Sequence, residues 1–187
     1  KLAGAFAVAG ASVSAFGGLA IKAAADIETQ RVGFQTLLGS VEKADEAIKM
    51  IQKDAASTPF EFKGLIDANK ALTLVTKNAQ KSEQILLDVG KALAAAGKGQ
   101  AELDRIIMNL QQIGNTGQIT EMDIRQFGYA GVNILELLAD YYGTTKEAAG
   151  EMVKESKNGF DDLAGAFAKA GAEGGRYANA YANATDT

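Results

Sequence analysis

The chain has 187 residues, 22% of them charged and 47% apolar, with a net charge of −4. That is the balance of a soluble globular protein of one or two domains with a sizeable core. It contains no histidine and no cysteine, which excludes zinc sites built on those ligands, cysteine nucleophiles, a Ser-His-Asp triad and disulfide staples. There is no long basic run, which argues against a dedicated nucleic-acid surface.

Aromatic residues make up only 7% of the chain and tryptophan is absent. The core must therefore be built from Leu, Ile, Val and Ala, which suits helix packed on helix. The first residue is Lys1, not methionine, and the chain is read as part of a longer protein.

Residues 2–21 carry no charge. A signal peptide would need a Leu-rich run and a cleavage site, and Lys1 is its only flanking charge. A transmembrane span would have the right length but the wrong residues, since Ala, Gly and Ser gain little from lipid. The third reading is a close-packed helix. Phe6, Val13, Ala20, Ile27 and Phe34 recur every seven residues, and Ala9, Phe16, Ala23 and Leu37 follow three positions behind, with Gln30 interrupting. This a/d spacing predicts one helix over residues 2–38, which would reach roughly 55 Å at 1.5 Å per residue. Gly10, Ser14 and Gly18 would let another backbone approach closely. The candidate packing seam is Phe6, Val13, Phe16, Ile27, Phe34 and Leu37. It packs on its own domain or on other copies of the chain.

Gly39 ends the first helix and Ser40 caps the next. Val41, Ala44, Ile48, Ile51 and Ala55 follow helical spacing. The only proline of the chain then closes that helix, within Ala56-Ser57-Thr58-Pro59-Phe60. Its fixed φ and missing N–H forbid a helix interior and push Thr58 toward extended backbone. Ser57, Thr58, Pro59 and Phe60 are accordingly expected to form a buried helix corner. Leu65, Ala68, Leu72 and Val75 make a third stripe.

Residues 78–81 read as a polar connector, with Ser82 opening a fourth helix lined by Leu86, Val89, Leu93 and Ala96. Gly97-Lys98-Gly99 breaks the chain. Leu103, Ile106, Ile107, Leu110 and Ile113 form the cleanest amphipathic stripe, with Gly114 as its end and Asn115-Thr116-Gly117 as a turn. Thr120 and Asp123 resemble a capping box. A short helix runs through Phe127, and Gly128 and Gly131 interrupt. Val132, Leu135, Leu138 and Tyr142 begin the next helix, and Gly143 ends it. Thr144 with Glu147 is read as the following capping box. Asn158-Gly159 is a turn before Phe160, Leu163, Ala166 and Phe167, and Gly174-Gly175 is another break. No stretch alternates as a strand would.

The predicted fold is all-α, with seven to nine helices, short connections and no sheet. Residues 1–39 form a long Ala/Gly-rich helix, 40–175 a compact domain, and 176–187 a tail or the start of a further helix.

Chemistry-bearing patterns are weak. Gly90-Lys91-Ala92 and Gly97-Lys98-Gly99 lack the hydroxyl a P-loop needs and follow no strand. Asp161 and Asp162 are adjacent and do not share a helix face; negative charge in a first helical turn suits the helix dipole. Glu136 and Asp140 do share a face, but no base lies near them in sequence, and they are read as solvated. Asn183-Ala184-Thr185 matches a glycosylation sequon, a pattern with a high chance rate. Tyr129, Tyr141, Tyr142, Tyr177 and Tyr181 do not interleave with basic residues as a base-stacking platform would. No catalytic, cofactor or metal residue is assigned.

Three stretches resemble segments of the tape measure domain of bacteriophage tail tape measure proteins. The first is Ala55-Ala56-Ser57-Thr58-Pro59-Phe60-Glu61-Phe62. The second is Gly117-Gln118-Ile119-Thr120-Glu121-Met122-Asp123-Ile124-Arg125-Gln126-Phe127, followed by Gly131-Val132-Asn133-Ile134. The third is Glu173-Gly174-Gly175-Arg176-Tyr177-Ala178-Asn179. The positions that carry the resemblance in the second and third are Gly117, Asp123, Gln126, Phe127, Gly131, Ile134, Gly174 and Gly175. Asn133 stands where the family often has proline, and the chain after Asn179 lacks the family's Met-rich continuation.

The resemblance spans roughly residues 23–180. It implies a helical structural protein of a phage or prophage, made in the bacterial cytoplasm and lying in the tail tube lumen of the virion. The tube polymerises around it, stops where it ends, and it leaves at infection. The implied partners are the tail tube protein, tail assembly chaperones, tail-tip proteins and other copies of the chain. No cofactor or enzymatic activity is implied for this domain. The alternative read from residues 2–21 is a membrane-inserting helical protein of the pore-forming type; membrane contact during ejection would join the two readings.

Overall fold

The computed structural model describes the backbone of residues 13–185, and side chains from Asp26 to Ala184. Ten helices and no strand occur among the described residues. They are α1 (Val13–Leu38), α2 (Val41–Ala55), α3 (Phe62–Thr76), α4 (Ala79–Ala95), α5 (Gln100–Thr116), α6 (Glu121–Tyr129), α7 (Ile134–Tyr142), α8 (Lys146–Glu155), α9 (Gly159–Gly171) and α10 (Ala180–Thr185). The all-α expectation is met. The count exceeds nine because the small, weakly apolar end of the chain contributes α10.

The unbroken helix expected over residues 2–38 is not borne out. The helix described is the 26-residue α1, and residues 1–12 lie outside the described part. Its C-terminal half packs on its own domain. Phe34 is fully buried, and Ile27 and Leu38 lean on the same core. The Lys70 ammonium sits 5.3 Å from the centre of the Phe34 ring, a cation held against the ring face. No described helix is long and apolar enough to cross a membrane.

Short polar side chains cap the starts of α2, α4, α6, α7 and α8. Ser40 accepts from the Lys43 N–H at 3.2 Å, as expected. α4 begins at Ala79, with Asn78 accepting from the Lys81 N–H at 2.8 Å. Ser82 is therefore not a cap. It is buried one turn inside the helix, where its hydroxyl donates to the Asn78 carbonyl at 2.9 Å. Thr120 and Asp123 form the expected capping box. α8 is capped by Thr145 and not by Thr144, one residue later than the spacing suggested.

α5 does not stop at Gly114; Asn115 and Thr116 are helical, and the helix ends at Gly117. A side chain at Gly114 would press on Val75 of α3, so this glycine serves helix contact, not termination. Gly117 has φ +76°, a conformation glycine adopts without strain. Its N–H donates to the Ile113 carbonyl at 2.7 Å, and its carbonyl accepts from the Gly159 N–H at 2.9 Å. One residue thus closes α5 and opens α9.

The centre of the fold is α3, which packs on both α4 and α5, while α9 packs on α4, α5 and α7. Leu72, Leu93, Leu103, Leu110, Phe127 and Phe167 are all fully enclosed. Sequential helices from α1 to α8 pack as neighbours, as short connections favour, whereas α9 turns back onto α4, α5 and α7 and α10 packs on α4.

Candidate functional site

The corner after α2 is built by backbone hydrogen bonds. Ala56 N–H donates to the Lys53 carbonyl at 3.2 Å and Ser57 N–H to the Asp54 carbonyl at 3.0 Å. Pro59 then forbids further helix. The corner is not buried as a whole: Ser57 and Pro59 are exposed, Thr58 is half-buried, and Phe60 alone is enclosed. Phe60 turns inward to meet Tyr181 of α10, with ring centres 6.3 Å apart and planes at 80°. The edge-to-face arrangement is the favoured geometry of such a pair.

The second motif is tied down by Asp123, which is only 3% exposed. Its carboxylate accepts from the Thr120 N–H and hydroxyl, each at 2.7 Å, and from the Asn109 amide of α5 at 3.0 Å. The Asn109 amide also donates to Gln126 at 2.6 Å. Asp123 thus does more than cap α6: it joins α6 to α5. Phe127 packs on Phe167 with ring centres 5.9 Å apart, and Ile134 is buried at the start of α7. At Gly131 a side chain would press against Ala96 and reach Lys98.

The third motif follows α9. Gly174 makes the turn, and Gly175 lies against the Ala170 carbonyl. Arg176 reaches back to α7, donating to Glu136 at 2.7 Å and to Asp140 at 3.3 Å. Glu136 and Asp140 are therefore not merely solvated. Their base comes from the third motif, too far along the chain for local spacing to reveal. The guanidinium holds the Glu136 carboxyl below its usual range, against a smaller opposing effect of desolvation.

These three stretches meet around the C-terminal end of α4. A groove of about 640 Å³ opens there between Pro59, the segment Ala94 to Lys98, and residues 175–184. Gly131 lies against Ala96 at the same end of α4. α10 seals the arrangement. The Tyr181 hydroxyl donates to the Leu87 carbonyl at 2.7 Å, and a side chain at Gly90 would overlap that hydroxyl and the Phe60 ring. Sequence reading named neither Gly90 nor Tyr181 for this role. No local pattern links a mid-helix glycine to a tyrosine that far along the chain.

Of the seam residues, Phe34 is buried, while Ile27 and Leu37 are half-buried. Val13 and Phe16 belong to α1, but their side chains lie outside the described part, as does the whole of Phe6.

The carboxylates considered for chemistry are engaged otherwise. Asp161 pairs with Lys81 at 3.1 Å, and Asp162 accepts from the Ser156 hydroxyl at 2.6 Å. Among the described residues, no group of three or more Asp, Glu, His or Cys is placed to hold a metal ion. Glu83 is a nearly fully enclosed carboxyl, which accepts from the Asn69 amide at 2.6 Å. Burial, with Asp54 beside it, pushes it up to about 8. What the geometry offers is a packed scaffold with a mixed polar and apolar groove at one end.

No curated protein and no solved structure matches the chain. A family model described as "Tape measure protein" matches residues 18–187, a span that takes in all three motif stretches and every helix from α2 to α10. The chain belongs to the tape measure protein family.

Proposed function

We propose that this chain is a folded helical module of a phage tail tape measure protein. It acts through packing and protein contacts, with no catalytic residue. In this reading the full protein sets tail tube length, helps the tail assemble and takes part in genome ejection. It lies in the tube lumen after synthesis in the host cytoplasm. Its partners are the tail tube protein, the tail assembly chaperones, the tail-tip proteins and other copies of itself. The observation that carries the reading is the family match over residues 18–187.

A ruler must convert residue number into length, which a single extended helix does at about 1.5 Å per residue. Helices α2 to α10 fold back on one another around α3, so adding residues to them would add volume, not length. The reading therefore gives this module a part in assembly and leaves measurement to extended portions of the full protein. α1 is the one described element of some length, about 39 Å from its 26 residues, and its C-terminal half is docked on the domain.

The test is an in-frame deletion of residues 40–175 from the full-length protein, followed by electron microscopy of particles. Loss of tails, or tails that fail to join the tip, supports the assembly role. Normal numbers of tails shortened in proportion to the deletion would show that the module is part of the ruler instead.

A further inference from the structure

The turn after α9 and α10 together form a strap, residues 172–185, lying across α4. Two fastenings hold it. Arg176 grips Glu136 and Asp140 of α7. Tyr181 is pinned by its hydrogen bond to the Leu87 carbonyl, by the Phe60 ring, and by the space Gly90 leaves. The strap so held does not close on the C-terminal end of α4, and the groove of about 640 Å³ remains between them. That volume falls within the range of protein ligand sites, about 300–1,000 Å³.

Small residues give the groove its depth. Ala94 and Ala95 line it on the α4 side, and Ala178 and Ala184 on the strap side. Asn179 and Asn183 stand along the same wall, one turn apart, with the Asn183 N–H donating to the Asn179 carbonyl at 3.1 Å. Both are exposed, and among the described residues neither side-chain amide has a partner. A primary amide donates and accepts at once, which matches the N–H and C=O groups of a peptide backbone.

The charged side chains lining the groove are Lys98 and Arg176, and no acidic side chain of the described residues joins them, in a chain of net charge −4. Arg176 is held in place by Glu136 and Asp140, which line no part of the groove, and its guanidinium keeps further donors. Lys98 enters no ion pair among the described residues. Its stem runs past Gly131, where a Cβ would lie 3.8 Å from the Lys98 Cε, and its own N–H is fixed to the Leu93 carbonyl at 2.9 Å. A held guanidinium and an unpaired ammonium at the rim of an apolar trench favour carboxylates. A free anion would leave the alanine trench and the amide pair unfilled.

We propose that this groove docks a short acidic segment of a partner protein, with small apolar residues between its carboxylates. The carboxylates meet Lys98 and Arg176, and the backbone runs along Asn179 and Asn183. Such a contact supplies chemistry for the assembly role proposed above and rests on that reading only for where the partner is met. Deletion of residues 40–175 tests the role in the tail, whereas the groove is tested on the module alone.

The probe is a short fluorescein-labelled peptide of alternating Glu and Ala, titrated with the 187-residue chain. Its counterpart of alternating Gln and Ala and a single-stranded DNA oligonucleotide of equal charge are the controls. By fluorescence anisotropy the Glu peptide binds saturably and loses affinity as salt rises. Its affinity falls about threefold or more in Lys98→Ala and is unchanged in Lys49→Ala, on the exposed face of α2. In NMR spectra the Asn179 and Asn183 side-chain amides and the Lys98 N–H shift on titration, and the Leu110 N–H does not. Absence of saturable binding, equal binding of the Gln peptide or of the oligonucleotide, unchanged affinity in Lys98→Ala, or shifts confined to other surfaces would overturn the groove as this docking site.

Discussion

The Phe60 and Tyr181 rings meet edge to face, with their centres 6.3 Å apart. This contact ties the proline corner to the strap, two parts of the chain that no local pattern connects. Because Gly90 lies beneath both rings, the three residues act as one joint.

Phe60→Ala should therefore cost about 3–5 kcal/mol, the usual loss for a buried aromatic. Tyr181→Phe keeps the ring and removes only the hydrogen bond to Leu87, a loss of about 1 kcal/mol. Gly90→Ala should displace Tyr181 and raise proteolysis at Arg176. Urea unfolding of the three variants checks the ranking.

Pro59→Ala should change stability by less than about 1 kcal/mol, because Pro59 is exposed and acts mainly by restricting the unfolded chain. The same urea measurement, run beside Phe60→Ala, separates the residue that stops the helix from the residue that anchors the corner.

Asp123→Ala removes a helix cap and an α5–α6 link together. It leaves the Asn109 amide and the Thr120 N–H without their acceptor, and should cost about 2–3 kcal/mol. Thr120→Ala, which keeps the carboxylate, should cost about 1 kcal/mol. Thermal unfolding by circular dichroism reads the difference.

Glu83 sets a pH dependence of known sign. Its folded value is raised from 4.5 to about 8, so between those limits the folded chain holds a proton that the unfolded chain releases. Its contribution is fully present below about pH 4.5, falls as pH rises through the window, and is lost above about pH 8. Urea midpoints should fall from pH 6 to pH 9 in the parent chain, and the Glu83 part of that fall should vanish in Glu83→Gln.

The helices were legible because their apolar residues recur at helical spacing. The stripe from Leu103 to Ile113 is buried along its length. Ser40, Thr120, Gly39 and Gly143 mark helix ends where they were read. Two of the misreadings share one cause. Gly114 and Ser82 look like punctuation locally, but Val75 packs on the first and the second hydrogen-bonds inside the fold. Tertiary contact gave both residues a second use. The site was legible only as separate motifs, since Arg176 with Glu136 and Phe60 with Tyr181 are pairings that only the folded chain creates.

The central claim is that packed helical surfaces, and no reactive side chain, carry the activity. The direct measurement is the number of tails seen by electron microscopy when the full-length protein carries either Phe127→Ala or the pair Asp161→Asn and Asp162→Asn. The account predicts that tail number falls with the stability of the Phe127→Ala domain and stays normal in the doubly amidated protein. A normal tail count with the Phe127→Ala domain unfolded, or loss of tails in an amidated domain that stays folded, would contradict it.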